Sequence, residues 1–350
     1  MKPAPPITDD SHHVWSYPEG WFKVAYSDDI APGDVMTKHY FGRELVLFRT
    51  ESGVIQMVDA HCAHLGAHLG VGGTVVGEHL RCPFHAWEYG TDGHCKKIPY
   101  SPKIPPNAAI GRWPTQEHAG IVFVWHSEAG NEPFWEPPVF EEYGDPAWEG
   151  YSRYSWVIHT SPQEICENAV DIGHLPFVHG KGISEEAQQA QNYGLAPLTA
   201  TFNGHLFDFE FDFAGRDSSD SYHKGRYYGL GLTISKSLGH GGKCFLTGRT
   251  PVDRDSTEVS YSMLTAINLP RDPDGELSRA DALHNVAEFE KDVPIWNNKA
   301  FRAKPILCKN DGPIGRFRNW ASQFYADGEP SVAAGNPSTE DAPVRALRSA

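Results

Sequence analysis

Residues 61–87 read HCAHLGAHLGVGGTVVGEHLRCPFHAW and contain two short loops, each with one cysteine and one histidine. The first loop carries Cys62 and His64 and the second carries Cys82 and His85, in the spacing Cys-x-His-x17-Cys-x2-His. A structural zinc site usually takes two cysteines from one loop and two histidines from another. One ligand of each kind on both loops instead suits two adjacent metal ions, one held by the cysteines and the other by the histidines.

This ligand set predicts a Rieske [2Fe-2S] cluster on Cys62, His64, Cys82 and His85. A zinc site and unligated core side chains are the alternatives. Neutral imidazole in place of thiolate raises the reduction potential, so such a cluster accepts electrons readily from a ferredoxin-like donor. The other residues of these types are expected to be exposed imidazoles, His61 and His68, and buried thiols, Cys95, Cys166, Cys244 and Cys308.

The composition is that of a packed, acidic protein. Of 350 residues, 45 are Asp or Glu and 30 are Lys or Arg, and 42 are aromatic, which excludes a disordered or fibrous chain. A net charge of −15 disfavours nucleic acid and anionic membrane surfaces as partners. The first fifteen residues lack the apolar core of a signal peptide, and no apolar run approaches the length of a membrane span. These features predict a cytoplasmic protein without stable membrane insertion.

Two domains are expected from the order of the elements. Short apolar runs at 21–26, 44–48, 54–58 and 120–125 predict a small all-β unit. A segment rich in Pro, Trp and Glu at 132–154 reads as the connection. The predicted division is an N-terminal tail at 1–17, a Rieske domain at 18–135, a catalytic domain at 136–329 and a disordered tail at 330–350.

The second domain is predicted to combine two helices with an antiparallel sheet, which makes the chain α+β. Ser161 and Glu164 form a capping signal for a helix that runs to about Leu175. Four strands are expected near 201–213, 225–236, 243–250 and 257–267. A second helix is expected from Ser278, kinked at Pro294, with an apolar stripe made of Leu283, Val286, Phe289, Val293 and Trp296.

A second metal site is indicated by residues 168–179, which read NAVDIGHLPFVH. Asp171 and His174 are expected on one helix face, and Pro176 should end that helix and let His179 approach. Two imidazoles and a carboxylate form the facial triad of non-haem Fe(II) oxygenases. Asp292 is the candidate carboxylate, because it points along the apolar stripe of the second helix. The alternatives are that Asp292 pairs with a neighbouring lysine, or that Glu288 is the ligand.

Residues 61–87, followed by CKKIPY at 95–100, resemble the Rieske domain of the Rieske non-haem iron oxygenases. Ala86 departs from the Gly that many members have there. The segment DVPIWNNK at 292–299, with residues 305–307, 311–313 and 318–325, resembles the C-terminal signature of the steroid-acting subgroup. This subgroup includes 3-ketosteroid 9α-hydroxylases and cholesterol 7-desaturases. The similarity covers most of 18–326, whereas 185–270 carries no recognised signature.

The resemblance implies a helix-grip catalytic domain with a mononuclear Fe(II) bound by His174, His179 and Asp292. It further implies that O2 is the co-substrate, that electrons come from NAD(P)H through a separate ferredoxin or flavin reductase, and that the chain forms a homotrimer. Asp171 would bridge His174 to His85 or His64 of the neighbouring subunit and so carry electrons between the metal sites.

The expected reaction is hydroxylation or desaturation of a steroid-like substrate. Its pocket should be large and mainly apolar, without an inward-facing arginine. The alternatives are a Rieske oxygenase for an aromatic acid or an alkaloid, and a Rieske electron carrier that performs no oxygenation.

Overall fold

The computed structural model describes residues 16–180, 198–212, 222–237, 242–267, 269, 272–308 and 310–326. Up to residue 126 these residues form three antiparallel sheets, with the strand orders β1-β11-β10, β2-β3-β4-β9 and β5-β6-β7-β8. The strands are β1 (Gly20–Tyr26), β2 (Val35–Tyr40), β3 (Arg43–Arg49), β4 (Ile55–Asp59), β5 (Thr74–Val76), β6 (His79–Arg81), β7 (Glu88–Tyr89), β8 (Cys95–Lys97), β9 (Arg112–Trp113), β10 (Thr115–His118) and β11 (Ile121–His126). The predicted all-β N-terminal part is therefore confirmed. The predicted tail at 330–350 and most of the one at 1–17 lie outside the described residues.

The second part is built on a seven-stranded antiparallel sheet in the order β12-β18-β17-β16-β15-β14-β13. Its strands are β12 (Ser152–Ile158), β13 (Leu198–Asn203), β14 (Leu206–Asp212), β15 (Tyr222–Tyr228), β16 (Leu232–Ser237), β17 (Lys243–Asp253) and β18 (Ser256–Thr265). The described helices are α1 (Pro162–Glu167), α2 (Glu276–Trp296) and α3 (Ile314–Ala321), together with a π-helical turn at Leu175–His179 and 3₁₀ turns at Ser27–Asp29 and Ser322–Phe324. This arrangement confirms the predicted α+β class.

The sheet has more strands than the sequence predicted. The two segments predicted near 201–213 and 225–236 are each split between the strands of a hairpin, because the chain turns at Gly204 and at Gly229. Both glycines adopt left-handed backbone conformations, with φ values of 54° and 60°. Such conformations favour glycine and end a strand locally. The first strand, β12, was not predicted, because it begins inside the segment read as a connection.

The seven-stranded sheet is covered on both faces. On one face, Val259 and Met263 belong to a buried cluster that includes Val286 and Trp296 of α2. On the other face, Leu246 and Leu264 share a cluster with aromatic residues of the three-stranded sheet, Trp21, Phe123 and Trp125. The N-terminal part therefore packs directly against the back of the sheet, and α2 lies on the front.

Helix α1 starts as predicted and ends eight residues early. The Ser161 hydroxyl oxygen accepts a hydrogen bond from the Glu164 N–H at 3.3 Å, which is the expected N-cap. The helix ends at Glu167, so Asp171 and His174 do not share a helix face. A continuous helix would need an N–H at position 176 to bond the Ile172 carbonyl, and proline has none. Pro176 lies inside the π-helical turn and does not end a helix, contrary to expectation.

Helix α2 begins two residues before the predicted Ser278. Asp272 accepts hydrogen bonds from the N–H groups of Leu277 and Ser278 and so caps this end from outside the helix. Leu283 was assigned to the apolar stripe, but its side chain is 57% exposed. None of the described helices has the length and apolar character needed to span a membrane.

Lys23 of β1 is buried against β18, where its ammonium group lies 3.0 Å from the Ser262 hydroxyl and 3.6 Å from the centre of the Tyr26 ring. Burial lowers the pKa of Lys23 from 10.5 to about 7, although Glu258 opposes the shift. Between these two values the unfolded chain binds more protons than the folded chain. The cost of the buried charge is therefore complete below pH 7 and disappears as the pH rises towards 10.5.

We expect Lys23→Met to raise the free energy of unfolding at pH 6.5 by about 2 kcal/mol. At pH 9.5 the gain should be much smaller, because the wild-type amine is then neutral in the folded state. Urea unfolding at both pH values measures the difference. Lys103→Met, at an exposed lysine, is the control and should change stability by less than about 0.5 kcal/mol. A gain of equal size at both pH values would contradict the assignment.

Candidate metal centres and active site

The two cysteine and histidine loops are closed by the same pair of backbone hydrogen bonds. In the first loop the Cys62 N–H donates to the Ala67 carbonyl and the Cys62 carbonyl accepts from Gly66, both at 2.9 Å. In the second, the Cys82 N–H donates to Trp87 at 2.8 Å and the Cys82 carbonyl accepts from Ala86 at 3.2 Å. Each cysteine therefore anchors a tight turn that carries its histidine outward.

The structure brings the four predicted cluster ligands together. The Cys62 and Cys82 thiols are both buried and interact with each other, and burial raises the pKa of Cys82. The rings of His64 and His85 are 4.7 Å apart. The His64 Nδ1 atom is buried without a hydrogen-bond partner among the described residues. Two adjacent thiols on one side, two imidazoles on the other and an unsatisfied ring nitrogen fit a cluster with one cysteine-bound and one histidine-bound iron.

Two expectations for the histidines and cysteines outside the predicted ligand set need correction. His61 is exposed as predicted, but His68 is only 21% exposed and accepts a hydrogen bond from the Gly70 N–H. Cys308 is exposed rather than buried, because it lies in the loop before α3, where its N–H donates to the Asp311 carboxylate.

Ala86, the departure from the family pattern, adopts a left-handed φ of 55°. This conformation strains any residue with a Cβ atom and explains why glycine suits the position. We expect Ala86→Gly to raise the free energy of unfolding by about 0.5 to 1 kcal/mol. Thermal denaturation followed by the visible absorbance of the cluster would measure it. Ala63→Gly, in the first loop and without a left-handed φ, should be destabilising, and a loss of stability in both variants would contradict the explanation.

The three predicted iron ligands also meet. One ligand atom each from His174, His179 and Asp292 lie within 4.8 Å of one another. Asp292 is only 5% exposed, and its Oδ2 atom lies 3.4 Å from the His179 Nε2 atom. None of the described lysines forms an ion pair with Asp292. The neighbouring Lys291 contacts Glu288 instead. This group of two imidazoles and one carboxylate fits a divalent metal. The buried His174 Nε2 atom has no hydrogen-bond partner among the described residues and is therefore available as a ligand.

Hydrogen bonds to the other ring nitrogens orient both imidazoles. The His179 Nδ1 atom lies 3.0 Å from the Glu288 carboxylate, and the His174 Nδ1 atom lies 2.5 Å from the Asp171 main-chain carbonyl. Both contacts assign the ring proton to Nδ1 and leave Nε2 free. Asp292, and to a smaller extent Glu288, raise the pKa of His179, so acid competes with a metal for this nitrogen.

Asp171 contacts His174 in a different way from the one expected. Its main-chain carbonyl accepts the ring N–H, whereas its carboxylate lies 3.7 Å from the same nitrogen. The carboxylate accepts instead from the Gly173 N–H at 3.1 Å, and the side chain is 39% exposed. The Asp171 carboxylate therefore faces outward beside the His174 ring.

Sequence reasoning missed two positioning residues. Asn168 donates a hydrogen bond of 3.0 Å to the Asp292 Oδ2 atom, and Glu288, considered only as a ligand, holds His179. The spacing of Glu288 four residues before Asp292 places both carboxylates on one helix face, a signal that could have indicated this role. No comparable signal existed for Asn168, whose partner lies 124 residues away.

A groove of about 770 Å³ lies elsewhere, lined by residues that include Phe41, Trp113, His126 and Arg43. It contains none of the predicted ligands. Its size alone therefore does not make it the reaction site.

Two family models match the chain. The Rieske [2Fe-2S] domain matches residues 20–109, and the 3-ketosteroid 9alpha-hydroxylase C-terminal domain matches residues 124–325. Among curated proteins, a cholesterol 7-desaturase of Xenopus laevis is 34% identical over 90% of this chain and 73% of the relative. A probable 3-ketosteroid-9-alpha-monooxygenase oxygenase component of Rhodococcus rhodochrous is 32% identical over 89% of this chain and 81% of the relative.

Solved structures share the fold at lower identity. The Pseudomonas putida CBB5 protein NdmA with caffeine aligns with a TM-score of 0.68 and 20% identity, over 86% of this chain and 89% of that one. Dicamba monooxygenase bound to dicamba aligns with a TM-score of 0.69 and 16% identity, over 89% and 98%. Together, the model matches and the curated relatives show that the chain is an oxidoreductase of the Rieske oxygenase family, with a 3-ketosteroid 9α-hydroxylase C-terminal domain.

Proposed function

We propose that the chain is the terminal oxygenase of a Rieske non-haem iron system that hydroxylates or desaturates a steroid-like substrate. Electrons would come from NAD(P)H through a separate ferredoxin or flavin reductase, and O2 would be the co-substrate. The observation that carries the proposal is the meeting of His174, His179 and Asp292 within 4.8 Å, inside the matched C-terminal region. The names of the curated relatives, which include sterol desaturases and ketosteroid monooxygenases, support the substrate class.

In this proposal Cys62, Cys82, His64 and His85 hold the [2Fe-2S] cluster, and His174, His179 and Asp292 hold a mononuclear Fe(II). When bound, that iron supplies the activation of O2, because a facial triad leaves coordination positions open. The protein groups fix the geometry: Glu288 and the Asp171 carbonyl orient the two imidazoles, and Asn168 orients the Asp292 carboxylate.

We also propose that the chain acts as a homotrimer in which the cluster of one subunit serves the iron of the next. Large apolar side chains on the cluster loops are exposed, with Leu65 66% and Phe84 62% accessible, and Val71, just after the first loop, is 69% accessible. Exposed apolar side chains of this size favour a protein interface. The His174 and His179 rings contact Asp171, Glu288 and Asp292 rather than the cluster loops. Light scattering on the purified chain measures the assembly.

The metal content and the products test the function. The purified protein should contain about three irons and two labile sulfides per chain, because the two ligand sets are independent. Incubation with reductase, NADH and ¹⁸O2 and a steroid panel should give a product that is either labelled by one oxygen or two hydrogens lighter. Boiled protein and omission of reductase are the controls.

Other outcomes identify the alternatives. Products only from aromatic acids or alkaloids would contradict the steroid assignment but would support an oxygenase that acts on another substrate class. Two irons per chain with no turnover of any substrate would indicate an electron carrier. A cytoplasmic location and the domain division at residue 135 remain predictions from the sequence.

A further inference from the structure

Two buried polar side chains, Gln163 of α1 and Arg249 of β17, have polar atoms without a hydrogen-bond partner among the described residues. Gln163 of α1 has no exposed surface, and neither its amide nitrogen nor its amide oxygen has a partner among the described residues. Arg249 of β17 is 6% exposed, and its Nε atom has no described partner either. Buried polar groups without partners are rare in native proteins, and each such group needs an explanation.

The strand register places Arg249 on the face that α2 covers. Arg249 pairs directly with Val259 of β18, and paired residues in antiparallel strands point to the same side. Val259 packs in the cluster that includes Val286 and Trp296 of α2. Arg249 therefore points to the side of the sheet that α2 covers.

Helix α1 holds Gln163 on the same side. Cys166 lies one helical turn after Gln163, so the two side chains share a face of α1. The Cys166 thiol donates to the Leu230 carbonyl at 3.4 Å, and the main-chain N–H of Arg249 donates to the adjacent Gly231 carbonyl at 2.8 Å. The Arg249 guanidinium acts electrostatically on Cys166, opposing the rise in the pKa of this thiol that burial causes.

The charge of Arg249 is only partly compensated. Its Nη1 atom donates to the Thr233 hydroxyl at 2.8 Å, and the guanidinium lies 4.9 Å from the centre of the Tyr227 ring. No carboxylate among the described residues lies within ion-pair distance of Arg249, unlike Arg318, which Glu167 binds with two hydrogen bonds. A buried cation with a free N–H is costly unless an acceptor oxygen reaches it.

We infer that Gln163 and Arg249 form a polar subsite that accepts a carbonyl or carboxylate oxygen of the substrate. This inference rests on the proposed steroid oxygenase function and names the group that orients the substrate. Asn168, at the end of α1, contacts the iron ligand Asp292. Gln163 precedes it by five residues, about 8 Å along a helix axis. The oxygen-bearing end of a rigid multi-ring skeleton would lie at the subsite while a remote C–H bond faces the metal site.

Ligand binding to the iron-loaded holoenzyme tests the subsite independently of turnover. The probes are 5α-androstane, 5α-androstan-3-one, 5α-androstan-17-one and 5α-androstane-17β-carboxylate, measured by equilibrium dialysis. These compounds share one skeleton and differ in the oxygen, so they separate a ketone from a carboxylate. We expect the wild type to bind at least one oxygenated probe about tenfold or more tightly than the hydrocarbon.

Arg249→Met and Gln163→Leu should remove most of this preference and leave the affinity for the hydrocarbon nearly unchanged. Arg226→Met, at an exposed arginine of β15 that pairs with Asp208, is the matched control and should retain it. Thermal denaturation without ligand checks folding, and Arg249→Lys, which keeps the charge, should retain part of the preference.

The two proposals fail in different ways. A preference that is unchanged in both Arg249→Met and Gln163→Leu overturns the subsite and leaves the steroid function standing. A wild type that binds no steroid probe overturns the steroid assignment itself, and the subsite inference falls with it. Equal affinity of the wild type for the hydrocarbon and all three oxygenated probes also overturns the subsite, because ordered water would then satisfy both side chains.

Discussion

Asp292→Ala should remove the mononuclear iron and reduce turnover at least about a hundredfold, while the visible spectrum of the Rieske cluster stays unchanged. Asp292 supplies the only carboxylate in the described three-residue ligand group, and its buried Oδ2 atom lies 3.4 Å from His179 Nε2. The cluster ligands belong to the separate loops at 62–67 and 82–87 and do not depend on α2. Iron and labile sulfide analysis, with turnover under excess reductase, measures all three quantities.

Glu290→Ala is the matched control, because Glu290 is an exposed carboxylate two residues earlier on the same helix. It should keep the iron and the turnover. Glu288→Gln should fall between the two variants: it retains a hydrogen-bonding group beside His179 but loses the charge, so weaker iron binding is expected. An Asp292→Ala protein with normal iron content would show that another group completes the site.

The cluster loops were predictable because their chemistry is local. Each loop closes within six residues by backbone hydrogen bonds from and to its own cysteine, so the spacing of cysteine and histidine fixes the turn. The strained Ala86 was visible only as a departure from the family pattern. Its left-handed φ required the structure.

The iron site illustrates a different limit. His174, His179 and Asp292 do meet, but the helix on which Asp171 and His174 were expected ends at Glu167. The predicted ligands nevertheless lie together, because their prediction depended on residue type and the family signature rather than on helical spacing. The hydrogen bond from Asn168 to Asp292 joins residues 124 positions apart, and no local pattern encodes it.

The sheet was least predictable, and its interior most of all. Alternation predicted strands, but two left-handed glycines split two predicted strands into hairpins. Splitting a strand resets which residues face inward, because a shift of one position moves every side chain to the other face. Arg249 lies in β17, which was predicted as one strand, but alternation alone does not say which of its two faces α2 covers. The pairing of Arg249 with Val259 identifies that face.

Asp171→Asn should retain both metal sites and the oligomer and yet lose at least about tenfold in turnover. The main-chain carbonyl of Asp171, which the substitution leaves intact, orients His174, so iron binding should persist. Asparagine also keeps an oxygen that can accept from the Gly173 N–H. What the variant loses is the negative charge of a carboxylate that is 39% exposed and 3.7 Å from the His174 ring.

That exposed carboxylate is the group available to a cluster histidine of a neighbouring subunit, His85 or His64, if the proposed trimer forms. The loss should therefore appear in electron transfer rather than in binding. Stopped-flow oxidation of the reduced cluster by substrate and O2 should slow in Asp171→Asn and remain normal in Asp255→Asn, which makes the same charge change in an exposed turn. Equal oxidation rates in the wild type and Asp171→Asn would show that Asp171 lies outside the path. A slow rate together with lost iron would instead assign the residue to metal binding. A slow rate with both metal sites loaded is the result expected of a residue that lies between them.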